Sequence, residues 1–202
     1  MKNKNIMKLF TRCSAVALLA ASSQAAIVLS VTGPTTTAPT AGINKAFAVS
    51  FNLTSPLTGL SLLADISCIS CSGTVYLMKT NLGPTSSAGD LIAAFAYSGS
   101  TTLFSGQNLS TGTYFAVLAN TAGSTIWNAT GSPVLSQNSG VSRGSDFTST
   151  SFVTAFPPQS NFAAGLGDVF KYTLSDTPTP EPGTLTMMVA GLAVCLLKRK
   201  GR

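Results

Sequence analysis

The sequence predicts an all-β protein: an antiparallel β-sandwich of jelly-roll-like form, followed by a single C-terminal apolar helix. Three observations lead to that class. Residues 27–176 carry no sustained helical period. Their β-branched and aromatic runs are short and are separated by Gly, Asn, Pro and Ser clusters. Roughly 30% of the stretch is Thr or Ser, well above ordinary globular usage.

Each element follows in chain order. Thr35, Thr36 and Thr37, between Pro34 and Pro39, read as an extended lead-in. In the run from Ala46 to Leu53, alternation places Phe47, Val49, Phe51 and Leu53 on one face. Leu60 to Ile66 and Thr74 to Met78 are further apolar runs. Leu91 to Tyr97 fits a strand or a helical turn, and the following Ser98-Gly99-Ser100 favours the strand. Thr113 to Ala119 is the clearest buried strand, and Ser124 to Asn128, Ser151 to Ala155 and Val169 to Leu174 complete the set. Such spacing suits two packed sheets with Thr on their solvent faces. A domain of that size buries roughly two-thirds of its unfolded surface.

Charge and composition narrow the function. The chain has 202 residues, 9% of them charged, no histidine and a net charge of +6. Without His, imidazole chemistry is excluded, both as Ser-His-Asp or Cys-His nucleophilic sites and as His zinc sites. The positive charge lies at the ends, in Lys2, Lys4, Lys8 and Arg12 and in Lys198, Arg199, Lys200 and Arg202. Between Ala26 and Pro180, four basic side chains face five acidic ones, a net −1. The basic pI is therefore no phosphate-binding patch, and no nucleic-acid partner is expected.

Of the four cysteines, only Cys68 and Cys71 fall in the central region. Zinc needs about four ligands, and no other Cys or His is there to supply them. A thioredoxin-like role needs a βαβ context, which is missing. In an oxidising compartment the pair reads as a local disulfide closing a tight turn. No metal or other cofactor is expected. The region has five Asp and no Glu. Asp65, Asp90, Asp146 and Asp168 sit near predicted strand ends or turns, where Asp caps or bonds backbone. Two of them paired in space is the arrangement a glycoside hydrolase uses. Calcium at a loop is the other reading, without a D-x-D-x-D-G loop to support it. No catalytic residue is assigned.

Trp127 is the only tryptophan. Either it fills the core, where large aromatics contribute most, or it joins Tyr76, Tyr97 and Tyr114 in a platform for sugar rings. In the second case Asn128 beside it would bond hydroxyls. Asn52-Leu53-Thr54, Asn108-Leu109-Ser110 and Asn128-Ala129-Thr130 match the glycosylation sequon, as an Asn/Ser/Thr-rich chain does by chance.

The two ends read as targeting segments. Residues 1–26 form a secretory signal: a basic start, the apolar run Cys13 to Ala21, then Ser23-Gln24-Ala25-Ala26 with cleavage after Ala25 or Ala26. Residues 27–176 are the ectodomain. Residues 177–183 form a Pro-rich linker, 184–197 an apolar membrane helix and 198–202 a basic cytoplasmic tail. The apolar run of about 14 residues makes roughly 21 Å of helix. A hydrocarbon core is about 30 Å thick, so snorkelling by the terminal Lys and Arg covers the mismatch.

Pro180-Glu181-Pro182, a short apolar helix and a terminal basic cluster resemble the PEP-CTERM sorting signal. The resemblance implies a Gram-negative protein of the exosortase pathway, exported and held by its tail. Its partner would be a membrane-embedded processing enzyme of exosortase type, for which Pro180, Glu181 and Pro182 are recognition residues. Proteins with this signal occur in bacteria that make extracellular polysaccharide, which becomes the second expected partner. Within the ectodomain, Gly112-Thr113-Tyr114 and Trp127, in the stretch 60–130, resemble the secreted choice-of-anchor domains. That resemblance implies a β-sandwich and no assigned activity. Together they lead to the expectation of an exported, non-enzymatic surface or matrix protein, with a carbohydrate-binding module at Trp127 and Asn128 as the alternative.

Overall fold

The computed structural model describes residues 25–149, 162–165 and 167–176. The leader up to residue 24, the predicted strand Ser151 to Ala155, and the linker, apolar run and basic tail of residues 177–202 lie outside the described residues. Ala26–Asp176 form one compact unit. No helix among the described residues is long and apolar enough to cross a membrane.

The described body is all-β, and its strand pairings are antiparallel. One sheet has five strands in the order β10 (Val134–Gln137), β1 (Ala26–Thr32), β14 (Tyr172–Asp176), β4 (Leu57–Ala64) and β7 (Thr102–Leu109). The second has seven: β12 (Ala163–Ala164), β11 (Val141–Ser149), β3 (Ala46–Leu53), β8 (Gly112–Trp127), β5 (Ile66–Lys79) and β6 (Leu91–Tyr97), with β2 (Thr40–Ala41) on β8. A small third sheet joins β9 (Ala129–Thr130) to β13 (Val169–Phe170).

One apolar cluster unites the two large sheets. Leu29, Leu60, Leu62 and Leu174 of the five-stranded sheet share it with Phe47, Val49, Phe51, Leu77 and Leu118 of the seven-stranded one. The alternation in β3 is the one the sequence predicts, with Phe47, Val49, Phe51 and Leu53 inward. Its other face differs from expectation. Ala46 and Ala48 are buried too, in a second cluster with Tyr76, Met78, Phe115, Val117 and Ala119. Where β3, β8 and the end of β5 run together, the sheet thus buries apolar residues on both faces, as in a sheet covered on both sides.

Several predicted strands merge or split. Thr113 to Ala119 and Ser124 to Asn128 fall on one long strand, β8, except for Asn128, which lies just beyond its end at Trp127. Thr74 to Met78 is the end of β5, which begins at Ile66. Leu60 to Ile66 and Val169 to Leu174 are each broken by one residue, Asp65 and Lys171. The pairing of β5 with β8 slips at Ile69/Ser72, where Ser70 adopts φ +51°. The Cys68–Cys71 disulfide spans that bulge. Opposite it stands Gly123 at φ +63°, where any Cβ would collide with the Ile69 and Ser70 carbonyls.

Candidate functional site

Three strands pass from one sheet to another at one end of the body, each through a single residue. Asp65 lies between β4 and β5, Asn128 between β8 and β9, and Lys171 between β13 and β14. Their backbones close a ring. The Asp65 N–H donates to the Lys171 carbonyl at 3.0 Å, Lys171 N–H to Asn128 at 2.9 Å, and Asn128 N–H to Asp65 at 2.9 Å. Backbone groups freed where a strand leaves its ladder must find partners, and here the three corners satisfy one another.

The side chains repeat the association. Lys171 Nζ lies 2.6 Å from Asp65 Oδ2, and Asn128 Nδ2 donates to Asp65 Oδ1 at 2.8 Å. The ammonium also donates to Thr35 Oγ1 at 2.9 Å, which ties in the lead-in segment. Burial works against the Asp65 charge. The hydrogen bonds from Lys171 and Asn128 and the ammonium charge outweigh it and hold the carboxyl below its ordinary range.

Beside this triad is an open recess of about 300 Å³. Asp65 and Lys171 line it together with Thr32, Leu63, Tyr172 and Thr173. Leu63 is 42% exposed, an apolar spot among hydroxyls. A carboxylate, an ammonium and hydroxyls around one apolar patch can hydrogen-bond a polyol and pack its C–H face.

Trp127 takes the core placement. It is fully buried, stacked on Phe170 at 4.9 Å between ring centroids and edge-on to Phe47 at 6.1 Å. Its indole N–H donates to the Lys171 carbonyl at 2.9 Å, so the ring supports the triad from below and presents no face to solvent. Tyr114 is likewise buried, stacked on Phe51, and Tyr97 is buried beside Thr125. The platform predicted around Trp127 therefore does not form, because these rings are needed to fill the space between sheets. Asn128 does reach the surface, where it serves Asp65.

The aspartates are spoken for locally. Asp90 accepts from the Ser87 N–H at 2.8 Å and the Ser87 hydroxyl at 2.9 Å. Asp168 accepts from Thr36 at 2.9 Å and Thr37 at 2.6 Å. Asp146 departs from expectation: it sits inside β11, not at a strand end, and is 4% exposed. A slip in the β11–β3 pairing between Arg143 and Asp146 gives it room. It pairs with Arg143 at 2.8 Å and accepts the Phe170 N–H at 2.8 Å. Burial pushes its carboxyl up despite the Arg143 charge and the Phe170 hydrogen bond. No group of three metal-ligating side chains occurs among the described residues. Cys68 and Cys71 are joined, the local disulfide expected from their spacing.

Asp65, Lys171 and Thr35 were not legible as a group, since over a hundred residues separate Asp65 from Lys171. A signal exists in retrospect. Each corner is one polar residue inside an apolar strand run: Ala64-Asp65-Ile66, Trp127-Asn128-Ala129 and Phe170-Lys171-Tyr172. No protein family, curated protein or solved structure matches the chain.

Proposed function

We propose that this chain is an exported, non-enzymatic surface or matrix protein whose β-sandwich, of jelly-roll type, contacts extracellular polysaccharide. Leader and PEP-CTERM-like tail carry the export reading, with an exosortase-type enzyme as processing partner. The observation that carries the contact reading is the recess beside Asp65, Asn128 and Lys171, with its hydroxyls and exposed Leu63.

The topology supports this arrangement. Ala26 pairs with Asp176 on the neighbouring strands β1 and β14, so the first and last residues of the body hold each other. Cleavage after Ala25 leaves that pair whole.

Two measurements test the reading. The intact mass and cell fraction of the protein from its host should show loss of both end segments and an extracellular location. A mass retaining residues 184–202 in the membrane fraction makes the tail a permanent anchor. The exported protein should also co-sediment with the host's extracellular polysaccharide, and Leu63→Ala should weaken that binding by about tenfold with the fold intact. Binding that is absent, or indifferent to Leu63, removes the recess from consideration.

A further inference from the structure

Among the described residues the strand orders of the two large sheets end in four strands, β10 and β7 on one and β12 and β6 on the other, with the two-residue β2 beside the second order on β8. A free edge presents unpaired N–H and C=O groups to any other strand, and proteins blunt such edges with bulges, prolines, charges or shortness. Three of these four are blunted. β7 slips register against β4 three times and carries Gly106 at φ +70°. β10 is four residues long and follows Pro133 directly. β12 has two residues.

β6 is the exception. It is seven residues long, Leu-Ile-Ala-Ala-Phe-Ala-Tyr, with no charge, proline or glycine. Its single register slip falls at its beginning, and Ala93 to Tyr97 pair in unbroken register with Gly73 to Leu77. Ile92 is 40% exposed, and Ala94 and Ala96 are exposed on the same side of the strand.

We propose that β6 pairs edge to edge with β6 of a second copy, antiparallel across a two-fold axis, joining two seven-stranded sheets into one. The occupant follows from the composition of the strand itself. An isologous pair sets each strand against its own sequence, so any charge would meet a like charge close by. β6 carries none. Ala94 and Ala96 are small enough for the two strands to reach ladder spacing without side-chain conflict. The contact closes on itself and leaves, among the described residues, only the three blunted edges and the two-residue β2, which favours a dimer over an open fibre.

Light scattering or sedimentation of the full chain as its host exports it tests this directly. At tens of micromolar the wild type should show the mass of two chains. Ala94→Lys should raise the dissociation constant at least about tenfold and yield the mass of one chain, with an unchanged circular dichroism spectrum. Ala96→Lys should do the same and serves if the first variant fails to fold, and Ala94→Ser should remain dimeric. A single-chain mass for the wild type overturns the proposal, including the case where β6 pairs only with an unlike protein. A two-chain mass in a folded Lys variant overturns it as well.

Discussion

The outward faces of the two large sheets solve different problems with the same backbone geometry. On the five-stranded sheet, one cross-strand row takes a residue from every strand: Ser136, Ser30, Thr173, Leu63 and Thr102. Four of the five carry hydroxyls, and none is fully buried. On the seven-stranded sheet the corresponding face is Ala46, Ala48, Tyr76, Met78, Phe115, Val117 and Ala119, all buried, with Leu82, Leu91, Phe147 and Phe162 packed against it. The first is a half-solvated antiparallel sheet with period two. The second is apolar over the middle of its central strands, at Ala46 and Ala48, Tyr76 and Met78, and Phe115, Val117 and Ala119, the pattern of a covered sheet. Where a hydroxyl does fall on the covered face it is buried and bonded, as Ser50 is to the Ser145 carbonyl at 2.9 Å.

The sharpest break of that comparison is a charge placed on each face. Val117→Asp should cost more than about 4 kcal/mol, enough to unfold a marginal domain, because a fully buried carboxylate finds no partner there. Thr173→Asp should stay within about 0.5 kcal/mol of wild type. Urea denaturation of both decides it. A cost below about 1 kcal/mol at Val117 means that the two faces are equivalent after all.

The ion pairs extend the contrast from faces to depth. Asp146→Ala should cost about 3 kcal/mol, since it strands Arg143 and orphans the buried Phe170 N–H. Asp65→Ala, at a half-exposed pair, should cost under about 1 kcal/mol. Their pH dependences should run in opposite directions. The folded Asp65 carboxyl titrates below its unfolded value, so its contribution is present above that value and is lost as pH falls through the folded one. Burial raises Asp146 in the fold, so acidification through its raised value favours the folded state. Stability measured against pH should show Asp65→Asn shallowing the loss on the acid side and Asp146→Asn removing the opposing gain.

A smaller effect sharpens the picture within the seven-stranded sheet. Replacing Cys68 and Cys71 with Ser should cost about 2 kcal/mol, the low end for a disulfide, because the loop it closes is so short. Amide exchange should accelerate around Ile69 to Gly73 and opposite them at Thr121 to Ser124, and leave β1 and β14 unchanged.

Much of the β-structure could be read from the chain. Ala46 to Leu53 and Leu91 to Tyr97 coincide with β3 and β6, because alternation and flanking turn residues act within a few neighbours. Others were missed for an equally local reason. β1, β7 and β11 mix hydroxyls, glycine and apolar residues without a clean period, and only their partners make them strands. The lengths of β5 and β8 escaped because they exist as a pair, each long because the other is.

By itself the sequence determined the class: short β runs, no imidazole chemistry, a net positive charge confined to the ends, and a cysteine pair spaced for a local bridge. These depend on composition and on neighbours a few residues apart. The tertiary structure alone decided where Trp127 points, that both faces of β3 are covered, and that Asp65, Asn128 and Lys171 meet. Each of those depends on which distant strands become adjacent. In a body of non-local pairings, that adjacency is set by filling the space between two sheets, not by any residue's own preference.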